Sequence, residues 1–420
     1  MAVTDVPADP PSGPRAQGPA FDLLDPARNA RAVPLEEFAR LRCTAPVSWF
    51  STPFHEMGFD DDGYWVVTRH ADVQDVSRRT DVFSTEQNTA IARFGPDMSR
   101  ERIEMQRLIM LNQDPPKHSA TRRIVSRGFT PKMINGLREA LADRAQKIVA
   151  RALAEGSGNF VLDVAVELPL QAIAELIGVP QEDRHQIFTW SNAMIGNEDE
   201  DFSVESVDQA SAEMLGYAWQ MAQQRKSCPM DDIATRLLTA QVDGAGLDEQ
   251  EFSFFVLLLA VAGNETTRNA ISNGMNAFFD HPDQWELFRQ RRPRTTPDEI
   301  VRWATPVIAF QRTALADTQV GGVDIAKGQR VVMFYSSANR DGDVFTDPDR
   351  FDILRDPNPH LGFGGTGAHY CLGANLARLE IDLIFNAVAD QMPGIHRRAD
   401  ARRLQSSWLN SIKELSVAYQ

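Results

Sequence analysis

The sequence has few cysteines and no long hydrophobic run. Its three cysteines, Cys43, Cys228 and Cys371, form no CxxC pair, which argues against a disulfide framework, a zinc ribbon and a cysteine-bound iron–sulfur cluster. This usage is typical of a reducing cytoplasm. The longest apolar run begins at Phe254 and has about half the length that a membrane span needs. Residues 1–20 are rich in Pro and Ala, so we expect a flexible tail rather than a signal peptide or membrane anchor.

Positive charge is also scarce. The 43 Lys and Arg residues face 58 Asp and Glu residues, and the resulting net charge of −15 argues against a nucleic-acid partner. The composition, 43% hydrophobic and 24% charged, is typical of a globular protein with a large core. Because no linker is visible after residue 25, we expect one domain over residues 21–420.

Helical periodicity dominates the chain. Residues 137–156 predict one helix that ends at a glycine, and a second helix is expected from Pro169. Strand patterns are short: residues 63–68 and 328–335 each predict a strand, and residues 318–325 predict a hairpin. The sequence therefore predicts a mainly α fold with small β-sheets rather than an alternating βαβ protein.

One predicted helix has a polar interruption. Asp248 and Glu251 fit a capping box, and an apolar pattern continues as far as Ala262. The residues GNETT (263–267) then break this pattern, which resumes afterwards. Two interpretations are open: a local kink with back-bonded threonines, or a polar surface that faces a cavity and handles protons.

The stretch GFGGTGAHYCLG (362–373) places a cysteine in a loop of glycines. Glycine is used where the backbone passes close to something or adopts positive φ, so we expect the loop to fit around an object larger than a side chain. A thiolate there suits a redox metal, and Cys is one of the axial ligands of haem. The helix predicted after Cys371 favours a thiolate at its first turn, although a buried structural cysteine is the plain alternative.

The same stretch resembles the haem-binding loop of the cytochromes P450, and four other segments agree with that resemblance. AGNET (262–266) is similar to the family's distal-helix motif, and EIVR (299–302) to its Glu-x-x-Arg pair. DPDRF (347–351) resembles the segment that supplies a second arginine to that pair, and DPPKHSATRR (114–123) the helix that contacts the haem. The resemblance runs from about residue 20 to the C-terminus and implies the cytochrome P450 fold.

The loop departs from the family pattern at one point. The family places a Phe seven residues before the Cys, where this chain has Gly364, and its Phe363 stands one residue earlier. We therefore expect the loop to bulge by one residue.

The resemblance implies a role for each matching residue, with haem b as the cofactor. Cys371 is the expected thiolate ligand, and Glu265 and Thr266 the acid–alcohol pair that delivers protons. Glu299, Arg302 and Arg350 are expected to form a buried charge cluster. The remaining cofactor-binding residues are the propionate anchors His118, Arg122, Arg312 and His369, and Gly365 and Gly373 of the loop.

Several stretches, among them residues 261–275, 298–315 and 407–414, are similar to one bacterial group, the steroid C26/C27 monooxygenases. This resemblance implies oxidation of the terminal methyl of a sterol side chain, such as that of cholest-4-en-3-one. The implied partners are O₂, a ferredoxin and a ferredoxin reductase. The implied substrate-facing residues, each of which fits plain core equally well, are Phe94, Met194, Val261, Val307, Phe310 and Trp408.

Other functions remain open from the sequence. Relatives of that group oxidise methyl-branched lipids, so such lipids or terpenoids are alternative substrates. A peroxide-driven enzyme has no need of the Glu265–Thr266 pair, and a non-catalytic haem sensor or lipid-binding protein is expected to lack it. Arg123 and Arg127, four residues apart on a predicted helix, are expected either to meet an acidic ferredoxin or to be solvated surface charge.

Overall fold

The computed structural model describes residues 18–95, 98–196, 198–230, 232–240 and 246–420. Residues 1–17, most of the predicted tail, lie outside this range. The backbone N–H of Ala20 donates to Glu37 at 2.8 Å, and the Gly18 carbonyl accepts from Arg40 at 2.8 Å. The chain is therefore attached to its first long helix from residue 18 onward.

Helices make up most of the described chain, as the sequence predicts. In chain order the α-helices are α1 Pro26–Arg31, α2 Leu35–Thr44, α3 His70–Arg78, α4 Arg100–Met105, α5 Lys117–Val125, α6 Pro131–Gly136, α7 Arg138–Glu155, α8 Glu167–Ile177, α9 Arg184–Ile195, α10 Val204–Ser227, α11 Ile233–Thr239, α12 Glu249–Asp280, α13 Pro282–Arg291, α14 Thr296–Ala304, α15 Tyr335–Ala338 and α16 Ala374–Gln391. Short 3₁₀ turns lie at Gln106–Leu108, Met110–Asn112, Ser126–Phe129 and Gln181–Asp183, and a π-helical turn at Val161–Ala165.

The strands are short and form small sheets. They are β1 Val47–Ser51, β2 Gly63–Val67, β3 Phe83–Ser84, β4 Ser157–Asn159, β5 Ala309–Ala314, β6 Thr318–Val320, β7 Val323–Ile325, β8 Arg330–Phe334, β9 His396–Arg397, β10 Arg402–Arg403, β11 Ile412–Glu414 and β12 Ser416–Ala418. The largest sheet has the order β1-β2-β8-β5-β3, in which β2 and β8 are parallel. A three-stranded sheet has the order β4-β12-β9, and β6–β7 and β10–β11 are separate pairs.

Local sequence patterns predicted these elements well. The predicted strands at 63–68 and 328–335 are confirmed as β2 and β8. The predicted hairpin is β6–β7, and Gly321 and Gly322 in its turn have φ values of +56° and +80°. These values lie in the left-handed region that glycine tolerates at no steric cost.

Helix α12 runs through the middle of the molecule. Its capping box is confirmed, because Asp248 accepts from the Glu251 N–H and the Glu251 side chain accepts from the Asp248 N–H. The helix continues without a break through the GNETT segment. Most of its residues after Phe252 are buried, in agreement with its apolar pattern.

The main hydrophobic core surrounds α12 and α16. Phe278 of α12 is the centre of an aromatic group and lies 5.2–5.7 Å, between ring centroids, from Trp285, Phe288, Phe351 and Phe385. Two further clusters pack on the two faces of the largest sheet. Within the described residues, none of the helices combines the length and the hydropathy that a membrane crossing needs.

Candidate active site

The cysteine loop precedes α16 and turns sharply at two glycines. Gly364 and Gly367 have φ values of +85° and +130°, which an L side chain rarely adopts. The Cys371 N–H donates to the Phe363 carbonyl at 2.9 Å. The one-residue displacement of Phe363 is therefore accommodated in a turn that brings its carbonyl against the cysteine backbone.

Two of the remaining loop glycines, Gly365 and Gly373, serve different purposes. A Cβ at Gly365 would meet the Ser77 Cβ at 2.5 Å, so this glycine allows the loop to pack on α3. A Cβ at Gly373 would meet no atom within 4 Å, because this glycine borders a cavity. Gly365 therefore shapes the loop from outside the cavity, and Gly373 leaves space open inside it.

Two opposing effects act on the pKa of the Cys371 thiol. Burial raises its pKa, while the N–H groups of Gly373 and Ala374 and the guanidinium groups of Arg122 and Arg378 act in the opposite direction. These N–H groups stand at the start of α16, where the helix dipole favours a negative charge. A cation at the sulfur would further favour the thiolate over the thiol.

A cavity separates α12 from the cysteine loop, and its atom-free space is about 1470 Å³ when the open solvent at its mouth is included. Most of its wall is apolar. Its lining from α12 is Phe255, Leu258, Leu259, Ala262, Gly263, Thr266, Thr267 and Ala270, and from the opposite side Gly362–Gly364, His369–Gly373, Leu376, Ala377, Glu380 and Ile381. A Cβ at Gly263 would meet the Ile173 Cδ1 at 2.4 Å, so this glycine lets α8 pack closely on α12 at the cavity wall.

The four predicted propionate anchors all line this cavity. His118 and Arg122 come from α5, Arg312 from β5 and His369 from the loop. The two histidine rings lie 4.2 Å apart between centroids, and the Arg122 guanidinium donates to the Tyr370 carbonyl. Burial, together with the neighbouring arginine charges, lowers the pKa of His118 to about 4 and that of His369 to about 2. Both histidines are therefore neutral at pH 7, and only the arginines are charged.

The predicted acid and alcohol lie on different sides of α12. Thr266 lines the cavity, and its Oγ1 donates to the Ala262 carbonyl at 2.7 Å. Glu265 is fully buried, does not belong to the cavity wall and forms an ion pair with Arg268. Burial raises the pKa of Glu265, and Arg268 opposes this shift. Both earlier interpretations hold in part: the threonine is back-bonded, and it faces a cavity.

The six predicted substrate-facing residues fall into three groups. Val307 and Phe310 line the cavity. Trp408 stacks on Phe310 with ring centroids 6.2 Å apart, and Val261 packs in the same small cluster as Val307 and Trp408, but neither Val261 nor Trp408 lines the cavity. Phe94 packs instead on Phe59, and Met194 lies at the edge of the main core. The structure therefore does not place Phe94, Met194, Val261 or Trp408 on the cavity surface.

The buried charge cluster around Glu299 differs from the predicted one at a single residue. Glu299 accepts two hydrogen bonds from Arg302, each at 2.8 Å, and both side chains are fully buried. The second guanidinium belongs to Arg355, whose Nε donates to Glu299 at 3.2 Å. The prediction that Arg350 fills this position is wrong, since Arg350 is exposed and contributes only its carbonyl, which accepts from Arg302 and Arg355 at 3.0 Å each.

Sequence reasoning also missed Glu380. This residue of α16 lines the cavity, is buried, and its Oε1 has no hydrogen-bond partner. Burial raises the pKa of its carboxyl well above the ordinary value. The sequence could have pointed to it, because an acidic residue stands between Leu376 and Ile384 on a face of α16 that is otherwise apolar.

A cysteine at a helix start that faces a threonine of a long helix across an apolar cavity is the arrangement expected of a haem-thiolate protein. Residues 295–389 match the profile described as "Cytochrome P450". Together with the relatives below, this match shows that the chain belongs to the cytochrome P450 family. The protein is therefore a haem-dependent monooxygenase.

Two named relatives and one solved structure show which cytochromes P450 the chain is similar to. The chain is 62% identical over 400 residues to a steroid C26-monooxygenase of Rhodococcus jostii, a match that covers 95% of this chain and 85% of the relative. It is 41% identical over 392 residues to a methyl-branched lipid omega-hydroxylase of Mycobacterium tuberculosis, with 91% and 90% covered. The fold is similar to that of a Mycobacterium marinum cytochrome P450 in complex with pseudoionone, with a TM-score of 0.89, 34% identity, and 97% and 100% covered.

The residues present fit the haem that this family carries. Backbone N–H groups at the start of α16 donate hydrogen bonds to the Cys371 sulfur, and Gly373 leaves the space beside it open. At the edge of the cavity, two arginines and two histidines form a site for carboxylates, and the buried Nδ1 of His118 has no partner. This donor set matches a cofactor with one soft axial position and two anionic substituents.

Proposed function

We propose that this protein hydroxylates the terminal methyl (C26/C27) of a sterol side chain such as that of cholest-4-en-3-one. The observation that carries the proposal is the 62% identity to a steroid C26-monooxygenase over most of both chains. The apolar cavity between Thr266 and Cys371 supports it, because a sterol is almost wholly hydrophobic. When bound, haem supplies the activation of O₂ and the insertion of one oxygen atom into a C–H bond.

The protein's own part begins with holding the cofactor. Cys371 would hold the haem iron through its thiolate, whose charge the N–H groups of Gly373 and Ala374 stabilise. Arg122 and Arg312 would pair with the propionates, and the rings of His118 and His369 would donate hydrogen bonds to them. A propionate near these rings favours their protonated form, so haem binding is expected to oppose the effect of burial on their pKa values.

Protons reach the site through α12. Thr266 is the alcohol that faces the cavity, and Glu265 is the adjacent acid that supplies its protons. The acid and the alcohol are not in contact in this conformation, so Glu265 has to turn towards Thr266 for delivery.

Selection of a terminal methyl requires a rigid pocket, because the neighbouring tertiary carbon is intrinsically easier to oxidise. Val307 is stiff at χ1 and is fixed by a β-bridge to Leu409. Phe310 is supported from behind by Trp408. These two wall residues hold the end of the side chain, while the cavity's other apolar surface binds the rings and provides affinity without choosing the carbon.

We also propose that electrons arrive from a ferredoxin, itself reduced by a ferredoxin reductase. Arg123 and Arg127 are exposed and line one surface groove, which Gly367 and Ala368 of the cysteine loop share. An acidic ferredoxin docked there lies close to Cys371, and its attraction weakens as salt rises. Reduction rates that depend neither on ionic strength nor on Arg123→Glu would favour plain surface charge instead.

A ligand titration followed by product analysis tests the substrate. Cholest-4-en-3-one is expected to shift the Soret band of the haem to the blue and to give a C26/C27 alcohol with a ferredoxin system. The 41% identity to a methyl-branched lipid omega-hydroxylase favours a second candidate, a methyl-branched fatty acid. Faster turnover of that acid, or hydroxylation of the sterol rings alone, would reject the sterol proposal. A single domain over residues 21–420 and a cytoplasmic location complete the proposal.

A further inference from the structure

The wall formed by Val307 and Phe310 is held by a turn of the chain at residues 406–411. Val307 forms a β-bridge with Leu409. Two backbone hydrogen bonds flank this bridge, from the Ile308 N–H to the Trp408 carbonyl at 2.7 Å and from the Asn410 N–H to the Pro306 carbonyl at 2.9 Å. The position of the wall therefore depends on what holds the turn.

Helix α12 holds the turn through buried polar side chains. Asn273 Nδ2 donates to the Asn410 carbonyl at 2.9 Å, and Ser411 Oγ donates to Asn269 Oδ1 at 2.8 Å. Each of these four residues is 8% exposed or less. Because Asn269 and Asn273 follow Thr266 by three and seven residues, all three lie on one side of α12. The alcohol that faces the cavity and the supports of the wall therefore belong to one face of one helix.

Asn410 also fixes the end of α14, from which the wall begins. Its Nδ2 donates to the carbonyl of Ala304, the last residue of that helix. The last carbonyls of a helix have no partner inside it, so this amide satisfies one that burial would otherwise leave unpaired. Pro306 and Val307 follow two and three residues later. One asparagine therefore bonds to α12, to α14 and to the wall, and directional bonds of this kind specify a single arrangement of the three.

The turn is also held on its other side, but by a different part of the chain. Glu198, in the connection between α9 and α10, accepts from the Ser407 N–H at 2.7 Å. This bond does not involve α12, so it does not set the distance between the wall and Thr266. That distance matters because bonded carbons are about 1.5 Å apart, while a misplacement of about 1 Å can change a rate by about 10²-fold. A small shift of the wall relative to α12 is therefore enough to bring the tertiary carbon to the place of the terminal methyl.

We propose that Asn273 and Asn410 are positioning residues that decide which carbon of the substrate is oxidised. They fix the wall at Val307 to the same face of α12 that carries Thr266, although neither asparagine lines the cavity. The oxidised carbon is then set by one rigid unit rather than by Val307 alone. The inference rests on the proposed hydroxylation of a terminal methyl, and it adds residues outside the cavity to those that choose the carbon.

Product analysis in the haem-loaded protein tests this role. With cholest-4-en-3-one, Asn273→Ala is expected to lower the ratio of terminal to tertiary alcohol by about tenfold or more, because the wall is no longer fixed to α12. Asn410→Ala, which releases the end of α14 as well, is expected to lower it further. Sterol binding, followed by the Soret shift, is expected to stay within about threefold, since the apolar surface of the cavity is unchanged. A double variant, Val307→Ala with Asn273→Ala, is expected to give the ratio of Val307→Ala, because both changes act on the same wall.

Hydrogen exchange supplies a measurement that needs no turnover. In Asn273→Ala, exchange of the backbone N–H groups of residues 307–311 is expected to quicken about fivefold, the effect of one lost hydrogen bond on local opening. The matched control is Asn159→Ala. Asn159 Oδ1 accepts from the Leu415 N–H at 3.0 Å, so this variant loosens the same C-terminal segment beyond the turn. It is expected to change neither the exchange of residues 307–311 nor the product ratio.

The outcomes separate this inference from the proposed function. A wild-type product ratio in Asn273→Ala, or an equal fall of the ratio in Asn159→Ala, overturns the positioning role and leaves the sterol proposal intact. Hydroxylation of the sterol rings alone by the wild-type protein rejects the sterol proposal. The ratio is then measured on a methyl-branched fatty acid, where the same fall in Asn273→Ala is expected and its absence overturns the positioning role. If Asn410→Ala does not fold, Asn273→Ala carries the test, because alanine suits a helix and the Asn410 amide stays in place.

Discussion

The charge cluster around Glu299 predicts different effects for the replacement of two arginines five residues apart, Arg350 and Arg355. Arg355 donates to the buried carboxylate of Glu299 at 3.2 Å, whereas Arg350 offers that cluster only its backbone carbonyl. Replacement by alanine therefore removes a buried partner at position 355 and leaves the cluster untouched at position 350. Glu299→Gln, which removes the central charge, is the most severe change of the three.

The expected change in the free energy of unfolding follows from the burial of the group that each variant removes. Glu299→Gln leaves the fully buried Arg302 guanidinium without a counter-charge, and breaking such a pair lowers the free energy of unfolding by about 3–5 kcal/mol. Arg355→Ala removes one charged hydrogen bond to Glu299, which contributes about 1.5–3 kcal/mol, and three further hydrogen bonds to backbone carbonyls, while Arg302 remains paired. Arg350→Ala changes an exposed side chain, so we expect stability within error of wild type.

Urea unfolding followed by far-UV circular dichroism measures these differences, provided that the slope of the transition is unchanged. The expected order of midpoints is Arg350→Ala equal to wild type, then Arg355→Ala, then Glu299→Gln. A midpoint for Arg350→Ala as low as that for Arg355→Ala would refute the assignment of the second guanidinium.

Four further changes test the site. Cys371→Ala is expected to abolish the absorption band that reduced thiolate-bound haem gives with CO, whereas Cys228→Ala, an exposed control, keeps it. Thr266→Ala is expected to bind substrate normally but divert electrons to peroxide, since general acid catalysis typically contributes about 10²–10⁴-fold. Val307→Ala is expected to keep sterol binding within about a few-fold, since little apolar area is lost, and to admit oxidation at the tertiary carbon. Glu380→Gln is expected to stabilise the fold increasingly as pH rises above the ordinary Glu pKa, because the native carboxyl keeps a proton that the unfolded chain loses.

For each of these four predictions, one outcome would contradict it. A thiolate-type CO band in Cys371→Ala rejects the axial ligand, and wild-type product yield per electron in Thr266→Ala removes that hydroxyl from the proton path. Unchanged regiochemistry in Val307→Ala removes it from the wall that selects the carbon. A stability difference between wild type and Glu380→Gln that does not grow with pH shows that the native carboxyl is ionised.

The sequence predicted those features that depend on a few neighbouring residues. The capping box of α12, the turn at Gly321 and the loop before Cys371 are local, and all three are present. Arg355 could not be found in this way, because it reaches Glu299 only through the turn that follows Phe351. The direction of Glu265 likewise depends on Arg268 and on the packing of α9, which no short motif specifies.

The apolar pocket residues show the same limit. Val261 and Val307 are alike in size and chemistry, yet only Val307 reaches the cavity surface. Which of two valines faces a ligand depends on the angle between α12 and the segment that leads into β5. That angle is set by the packing of the whole core and is not encoded in either neighbourhood.

The position of β12 affects how the molecule is made. This strand lies between β4 and β9 and pairs with both, and the Tyr419 N–H just beyond it donates to the Gly156 carbonyl at 2.9 Å. The outer strands of that sheet therefore meet only through residues that are translated more than 250 positions after Asn159. During synthesis, β4 waits with an unpaired edge until β12 has left the ribosome, and an exposed edge is a site for aggregation. Deletion of β12, Ser416–Ala418, is expected to lower the yield of folded protein more than changes at most surface loops.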